Sequence, residues 1–296
     1  MKKIFLLSVV ATMVLFGCSE DTTPGTGNGN GDGNGNSGPT LASTEQENRN
    51  AVLEDFTGVR CGYCPQGHEI AQGLIDQYPN DVVVIGVNAG GYAAPAPGWA
   101  NFTTSYGQAW IDQSSVKGYP AGTVNRQAFA GRSQDKGTGL AMSRGSWAAS
   151  AQEIMQEPSP VNLGATATLD TATMELTVTV EAYYTGDESA NENRINVALM
   201  QSGMVANQSG GGPNYVHKHV LRDMVTGQWG AEVTSDKSKG SVYKETFTYD
   251  VPTDYNGAMI PPGGGVVIPA DLDVAVYIAR GHVDVITGIN VPLTLK

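Results

Sequence analysis

The sequence predicts an α/β domain followed by an all-β domain, on three observations. An apolar segment, a helically spaced stretch and a second apolar run follow one another between Ala51 and Val87. After Pro160 the pattern changes to alternating apolar and polar residues, with polar turns and no helical period. The βα elements come first and the strands second, an order that argues for separate domains.

The chain of 296 residues opens on an export signal over residues 1–17. Lys2 and Lys3 supply a positive start and Ile4 to Phe16 a short apolar core, too short and wrongly flanked for a membrane span. Leu15-Phe16-Gly17-Cys18 resembles a bacterial lipobox, which implies that Cys18 is lipidated and anchors the protein to a membrane without spanning it. Residues 18–44 are dominated by Gly, Asn, Asp, Ser and Thr, and have too little to bury to offset the entropy of ordering. They read as a flexible tether with an end-to-end distance on the order of 30 Å.

Formal charge excludes one class of partner. With 17 basic and 29 acidic residues the net charge is −12, which argues against nucleic acid and its need for a basic footprint. No P-loop, nucleotide fingerprint or Ser-His-Asp signal can be defended, and no cofactor is expected. Asn101-Phe102-Thr103 and Asn207-Gln208-Ser209 match glycosylation sequons, discounted because the signal is of bacterial type.

The first folded domain is expected over residues 45–158. Ala51 to Phe56 suits a strand. Pro65 to Tyr78 carries apolar residues at 70, 71, 74, 75 and 78, which is helical spacing stopped by Pro79-Asn80. Asp81 to Val87 is a β-branched run suited to a central strand, completing a βαβ unit. An inserted segment near 88–115 holds a Gly/Ala/Pro loop and a helix near Trp99 to Ile111. Val116 to Asn125 gives a turn, a proline and an extended segment, and Ala141 to Glu157 a closing helix.

Cys61 and Cys64 open the first helix, two residues apart, in an arrangement suited to thiol–disulfide exchange. Here the chain resembles the thioredoxin fold. Asp55-Phe56, beginning six residues before Cys61, fits the buried acid and aromatic of that family, and Pro120 after a Gly-containing turn fits its cis-proline. Phe56-Thr57, Cys61-Gly62-Tyr63-Cys64 and His68-Glu69 are similar to bacterial periplasmic disulfide isomerases. Tyr119 departs from the Thr, Val or Ile common before that proline, which implies an altered docking surface.

The chemistry expected of each residue follows from its surroundings. Cys61 at a helix N-terminus is favoured as thiolate, and Cys64 one turn later resolves the mixed disulfide. Asp55, if buried, has a raised pKa and takes the Cys64 proton. Pro120 has no N–H and, with Tyr119, Tyr63 and Gly62, would line the site for an incoming protein or peptide disulfide. The alternatives are a purely structural Cys61–Cys64 disulfide and a His68 that merely covers the helix surface.

The second domain, residues 159–296, reads as a β-sandwich of roughly seven strands. Val161 to Leu169 and Met174 to Tyr183 alternate around an Asp170 turn, with further candidates at Ile195 to Gln201, Val216 to Leu221, Tyr243 to Tyr249, Leu272 to Ala279 and Val285 to Leu293. His217 and His219, two apart, would share a strand face and are weak candidates for one metal ion; a polar surface cluster is the simpler reading, and no metal site is assigned.

Across Asp55 to His68, Gly118 to Gly122 with Asn125-Arg126, and Tyr215 to Arg222 with Trp229-Gly230, the chain resembles the twenty-eight-kilodalton outer membrane protein (Omp) family. That resemblance implies an outer-membrane lipoprotein, periplasmic or surface-exposed, with a thioredoxin-like head and proposed adhesin or receptor roles. Two functions are therefore expected to compete: an anchored thiol–disulfide oxidoreductase, or isomerase, and an adhesin or binding lipoprotein that works through its β-sandwich.

Overall fold

The computed structural model describes residues 39–255 and 265–296. The export signal, Cys18 and residues 18–38 of the tether lie outside the described residues.

β1 (Ala51–Thr57) and β2 (Val82–Asn88) are buried along their whole length and pair in parallel, from Ala51 beside Val82 to Thr57 beside Asn88. Their near-continuous apolar runs suit strands covered on both faces. α1 (Cys64–Gln77) crosses between them, starting with Pro65 in its first turn, where no N–H is needed. α2 (Gly107–Ser114) lies in the inserted segment, starting later than expected, because Thr103 is drawn into a bridge with Asn88. β3 (Ala121–Val124) runs antiparallel to β1. The expected closing helix is shorter than its sequence pattern. Met142 and Ser143 form β4 (Met142–Ser143) on the edge of β3, and α3 (Trp147–Ile154) follows.

The remaining strands are β5 (Val161–Asp170), β6 (Glu175–Tyr184), β7 (Asn193–Gln201), β8 (Met204–Gln208), β9 (Gly212–His217), β10 (Val220–Met224), β11 (Ala231–Glu232), β12 (Val242–Asp250), β13 (Leu272–Arg280), β14 (Val283–Val291) and β15 (Leu293–Leu295). The fold is mixed α/β, mostly sheet, with a β-rich C-terminal region. A nine-stranded sheet runs β14-β13-β7-β10-β2-β1-β3-β4, with β11 on β7. A four-stranded sheet, β12-β6-β5-β15, packs on the β7, β13 and β14 part of the first through Leu169, Leu176, Val178, Val197, Val276 and Ile286. β8 and β9 form a separate hairpin.

Strands from both sides of the expected 158/159 boundary thus share one sheet, and the described residues fall in one compact unit. The join is narrow: β10 meets β2 only at Val220 beside Gly86, where the Gly86 N–H donates to the His219 carbonyl at 2.7 Å. A buried ion pair reinforces it. Arg126, after β3, binds Glu54 of β1 through two nitrogens and donates to the Tyr277 hydroxyl of β13. Trp110 of α2 covers the guanidinium at 4.9 Å. Thr40 and Leu41, at the end of the expected tether, donate their backbone N–H groups to Glu181 of β6, so ordered structure begins ahead of residue 45.

Candidate functional site

The turn after β1 is wound tightly: the Cys61 N–H donates to the Gly58 carbonyl and the Cys64 N–H to the Cys61 carbonyl. Cys61 and Cys64 are joined in a disulfide at the start of α1. Cys61 is only 3% exposed and Cys64 is fully buried, whereas Gly62 and Tyr63 between them face solvent.

Two different surroundings flank this turn. On one side lies an open groove lined by Arg60, Tyr63, Gly91, Tyr92, Lys117 and Tyr119. Arg60 points outward, donating to the Gly91 carbonyl at 2.7 Å, and Tyr92 meets Tyr119 edge-on with ring centroids 5.6 Å apart. The Tyr119–Pro120 peptide bond is cis. Pro120 is buried, and its ring lies about where a side chain on Gly67 of α1 would begin, so Gly67 is what lets α1 approach it.

On the other side is a cavity of about 300 Å³. Asp55, Thr57, His68, Tyr215, His217 and His219 supply much of its polar lining, and Ala71, Val84, Val216 and Val220 an apolar part. Asp55 is 2% exposed and burial pushes its carboxyl up to about 8; its Oδ1 has no protein partner and its Oδ2 lies 3.8 Å from His68 Nε2. An acid in this setting is protonated at neutral pH. His68 is more than a surface cover: Nε2 lies 2.8 Å from Thr57 Oγ1 and Nδ1 lies 2.8 Å from Tyr215 Oη. Burial, then the neighbouring His219, lowers its pKa to about 4, so the ring is neutral.

His217 and His219 do not share a strand face as expected. β9 ends at His217, and His219 takes a positive φ of 53° as the chain passes from the hairpin into the large sheet. Both rings nonetheless border the cavity, and the Nε2 of each lacks a partner. Among the described residues no group of three or more His, Cys, Asp or Glu side chains is arranged to hold a metal ion.

The hairpin β8–β9 was not anticipated in sequence and lies across the cysteine turn. Gln208, 2% exposed, donates its side-chain amide to the carbonyls of Gly58 and Cys61 at 3.2 and 2.9 Å. The Ser209 N–H donates to the Val59 carbonyl at 2.8 Å. Gly210 has a φ of +79°, and a β-carbon there would meet the Gly62 carbonyl at 2.2 Å; only glycine allows this approach. Apolar contacts among Val59, Phe102, Met204, Ala206 and Val220 hold the hairpin down. The Gly-rich stretch Gly210-Gly211-Gly212 was its one legible sign.

With this geometry in hand, kinship can be read. The profile of the family described as Outer membrane protein Omp28 matches residues 107–260, just over half of the chain. The chain belongs to the Omp28 family. Omp28 is a family of outer membrane proteins, which assigns the chain to the outer membrane. No curated protein matches the chain. Among solved structures, HBP35 of Porphyromonas gingivalis is similar at 20% identity over 83% of this chain and 76% of that chain, with a TM-score of 0.60, a likeness of fold. A domain of the outer membrane lipoprotein Omp28 from Porphyromonas gingivalis matches at 19% identity over 47% of this chain and 91% of that chain, with a TM-score of 0.32.

Proposed function

We propose that this Omp28-family chain is an anchored thiol–disulfide oxidoreductase with a thioredoxin-like head, acting outside the cytoplasm on protein or peptide disulfides. The observation that carries the reading is the Cys61–Cys64 disulfide at the N-terminus of α1, with an open aromatic groove beside it. Lipid on Cys18 and the following tether would hold this head near the membrane surface.

In the reducing direction, the Cys61 thiolate attacks one sulfur of a substrate disulfide and releases the other as thiolate. Partial positive charge at the start of α1 favours that thiolate. Asp55 first sheds its own proton; as carboxylate it then takes the proton of Cys64, which attacks Cys61 and releases the second substrate sulfur. The pair ends as a disulfide, the substrate has gained two electrons, and an external dithiol returns the pair to thiols. Asp55 can take that proton because its carboxyl, held up to about 8, lies near an ordinary thiol in acidity. Tyr119, Tyr63 and Gly62 form the surface against which the substrate chain lies, with Pro120 buried behind Tyr119 as its support.

The test is exchange itself. The full chain should reduce a model peptide disulfide with dithiothreitol as final reductant, Cys61→Ser should abolish this, and Cys64→Ser should accumulate mixed disulfides. An inactive wild-type chain with a Cys64→Ser variant that traps no partner contradicts the reading. One observation favours the alternative, an adhesin or binding lipoprotein whose Cys61–Cys64 bond is a staple: Cys61 is covered, and the β8–β9 hairpin is bonded over it. On that account partner binding survives replacement of both cysteines in a folded protein.

A further inference from the structure

Asp55, His68 and Tyr215 form a path from the interior of the sheet towards the surface. Asp55 Oδ2 stands 3.8 Å from His68 Nε2, and His68 Nδ1 stands 2.8 Å from Tyr215 Oη. Asp55 is buried, the His68 side chain is 23% exposed, and Tyr215 is half-buried with exposed Asn214 and Val216 on either side. Thr57 Oγ1, 2.8 Å from Nε2, fixes the ring plane from the inner side. Nδ1 is engaged with Tyr215 and Nε2 with Thr57, and the acid stands beside Nε2 just beyond hydrogen-bond distance.

Asp55 is 2% exposed and holds a proton at neutral pH, so in each turnover it must shed one before it can accept that of Cys64. We propose that His68, held between Thr57 and Tyr215, carries that proton between Asp55 and solvent during thiol–disulfide exchange. This rests on the exchange reading above and assigns a function to a residue that otherwise only fills space.

The proton count closes. A neutral imidazole has one N–H and one lone pair, and the ring stays neutral in this setting. In the tautomer protonated at Nδ1, that N–H donates to Tyr215 Oη, and the Nε2 lone pair faces Thr57 and Asp55. As Thr57 turns its hydroxyl away and Asp55 closes the 3.8 Å gap, Asp55 gives its proton to Nε2, Nδ1 gives its proton to Tyr215 Oη, and Tyr215 gives its hydroxyl proton to water. The products are an Asp55 carboxylate, a neutral ring protonated at Nε2, a neutral tyrosine and a hydrated proton. No electrons move in this step. When the pair is reduced again, the same path runs inward to reprotonate Cys64 through Asp55, and the first tautomer returns.

The polar and charged groups that share the cavity with His68 come from every neighbouring element: Asp55 and Thr57 from β1, Glu69 and Gln72 from its own helix, Tyr215 and His217 from β9, and Lys218 and His219 from the turn that follows. The adjoining cavity of about 300 Å³ is roomy enough to admit a free imidazole molecule once the His68 side chain is removed.

The experiment follows reduction of a model peptide disulfide by the full chain from pH 5 to pH 9, with dithiothreitol as final reductant. His68→Gln keeps hydrogen-bonding atoms but has no tautomers, and should slow exchange at least about tenfold at pH 7, within the range of acid–base contributions. His68→Ala should show the same loss, and free imidazole should restore much of the rate. Tyr215→Phe keeps the ring and removes only the outer relay atom, so its loss should be smaller and present even if His68→Ala does not fold. A wild-type rate in His68→Gln, or a folded His68→Ala that imidazole leaves unchanged, overturns the relay while exchange itself stands. A wild-type chain without exchange removes the exchange reading and the relay together.

Discussion

The groove and the cavity flank the same cysteine turn, yet they are built from opposite materials. The groove is open, aromatic and cationic at its rim, with Arg60 and Lys117 in a protein of net charge −12. The cavity reaches inward to a buried acid and three imidazoles, and burial drives these groups towards neutrality. One side suits contact with another chain, the other suits movement of protons. Solvent access is what separates them: burial disfavours whichever form of a group is charged.

Removing the buried acid should sharpen this comparison most. The Asp55 carboxyl is raised from 3.8 to about 8, so between those values the folded chain holds a proton that the unfolded chain has lost. Its contribution to stability is fully present below about pH 4 and is lost as pH rises through about 8. Asp55→Asn should therefore be more stable than wild type at pH 9 by a few kcal/mol, should lie close to it near pH 4, and should exchange disulfides more slowly. Urea melts across pH check the sign. His68 and His217 act oppositely: both are held down to about 4, so their neutral forms support the fold above about pH 6.5, and that support is lost as pH falls through about 4.

The hairpin is the next place to press. Gln208→Ala removes the amide that bonds Gly58 and Cys61, whose carbonyls keep only the N–H groups of Cys61 and Cys64, at a cost of about 0.5–1.5 kcal/mol per bond lost. Loosened there, Cys61 should react several-fold faster with a thiol reagent after reduction, and exchange with a protein disulfide should rise. An unchanged thiol reactivity would mean that the hairpin does not limit access.

The groove should give the smallest effect. Tyr92→Ala deletes the edge contact with Tyr119, an interaction of about 0.5–1.5 kcal/mol. It should raise KM for a peptide disulfide by a few-fold while leaving kcat and the pH profile in place, since no cavity group is touched.

The same contrast marks what could be read from the chain. β1, α1 and β2 were legible because burial imposes periodicity on adjacent residues. Asp55, Cys61 and Cys64 were legible because they sit within ten residues of one another. The β-rich region was legible from alternation after Pro160. What bridged distant segments was not. Glu54 pairs with Arg126, and His68 meets Tyr215, across 72 and 147 positions, and no local pattern encodes either contact. Val216 to Leu221 looked like one strand because its side chains alternate, but His219 turns with a positive φ and the chain changes partners from β8 to β2 and β7. Gln208 was invisible for the same reason, since its value lies in carbonyls of a turn 147 positions or more away.

The central claim is that the Cys61–Cys64 bond is made and broken in use. Equilibrating the full chain against defined ratios of reduced and oxidised dithiothreitol gives the reduction potential of the pair. A working redox centre predicts a value of roughly −120 to −270 mV. A value below about −300 mV, where structural bridges lie, would contradict it.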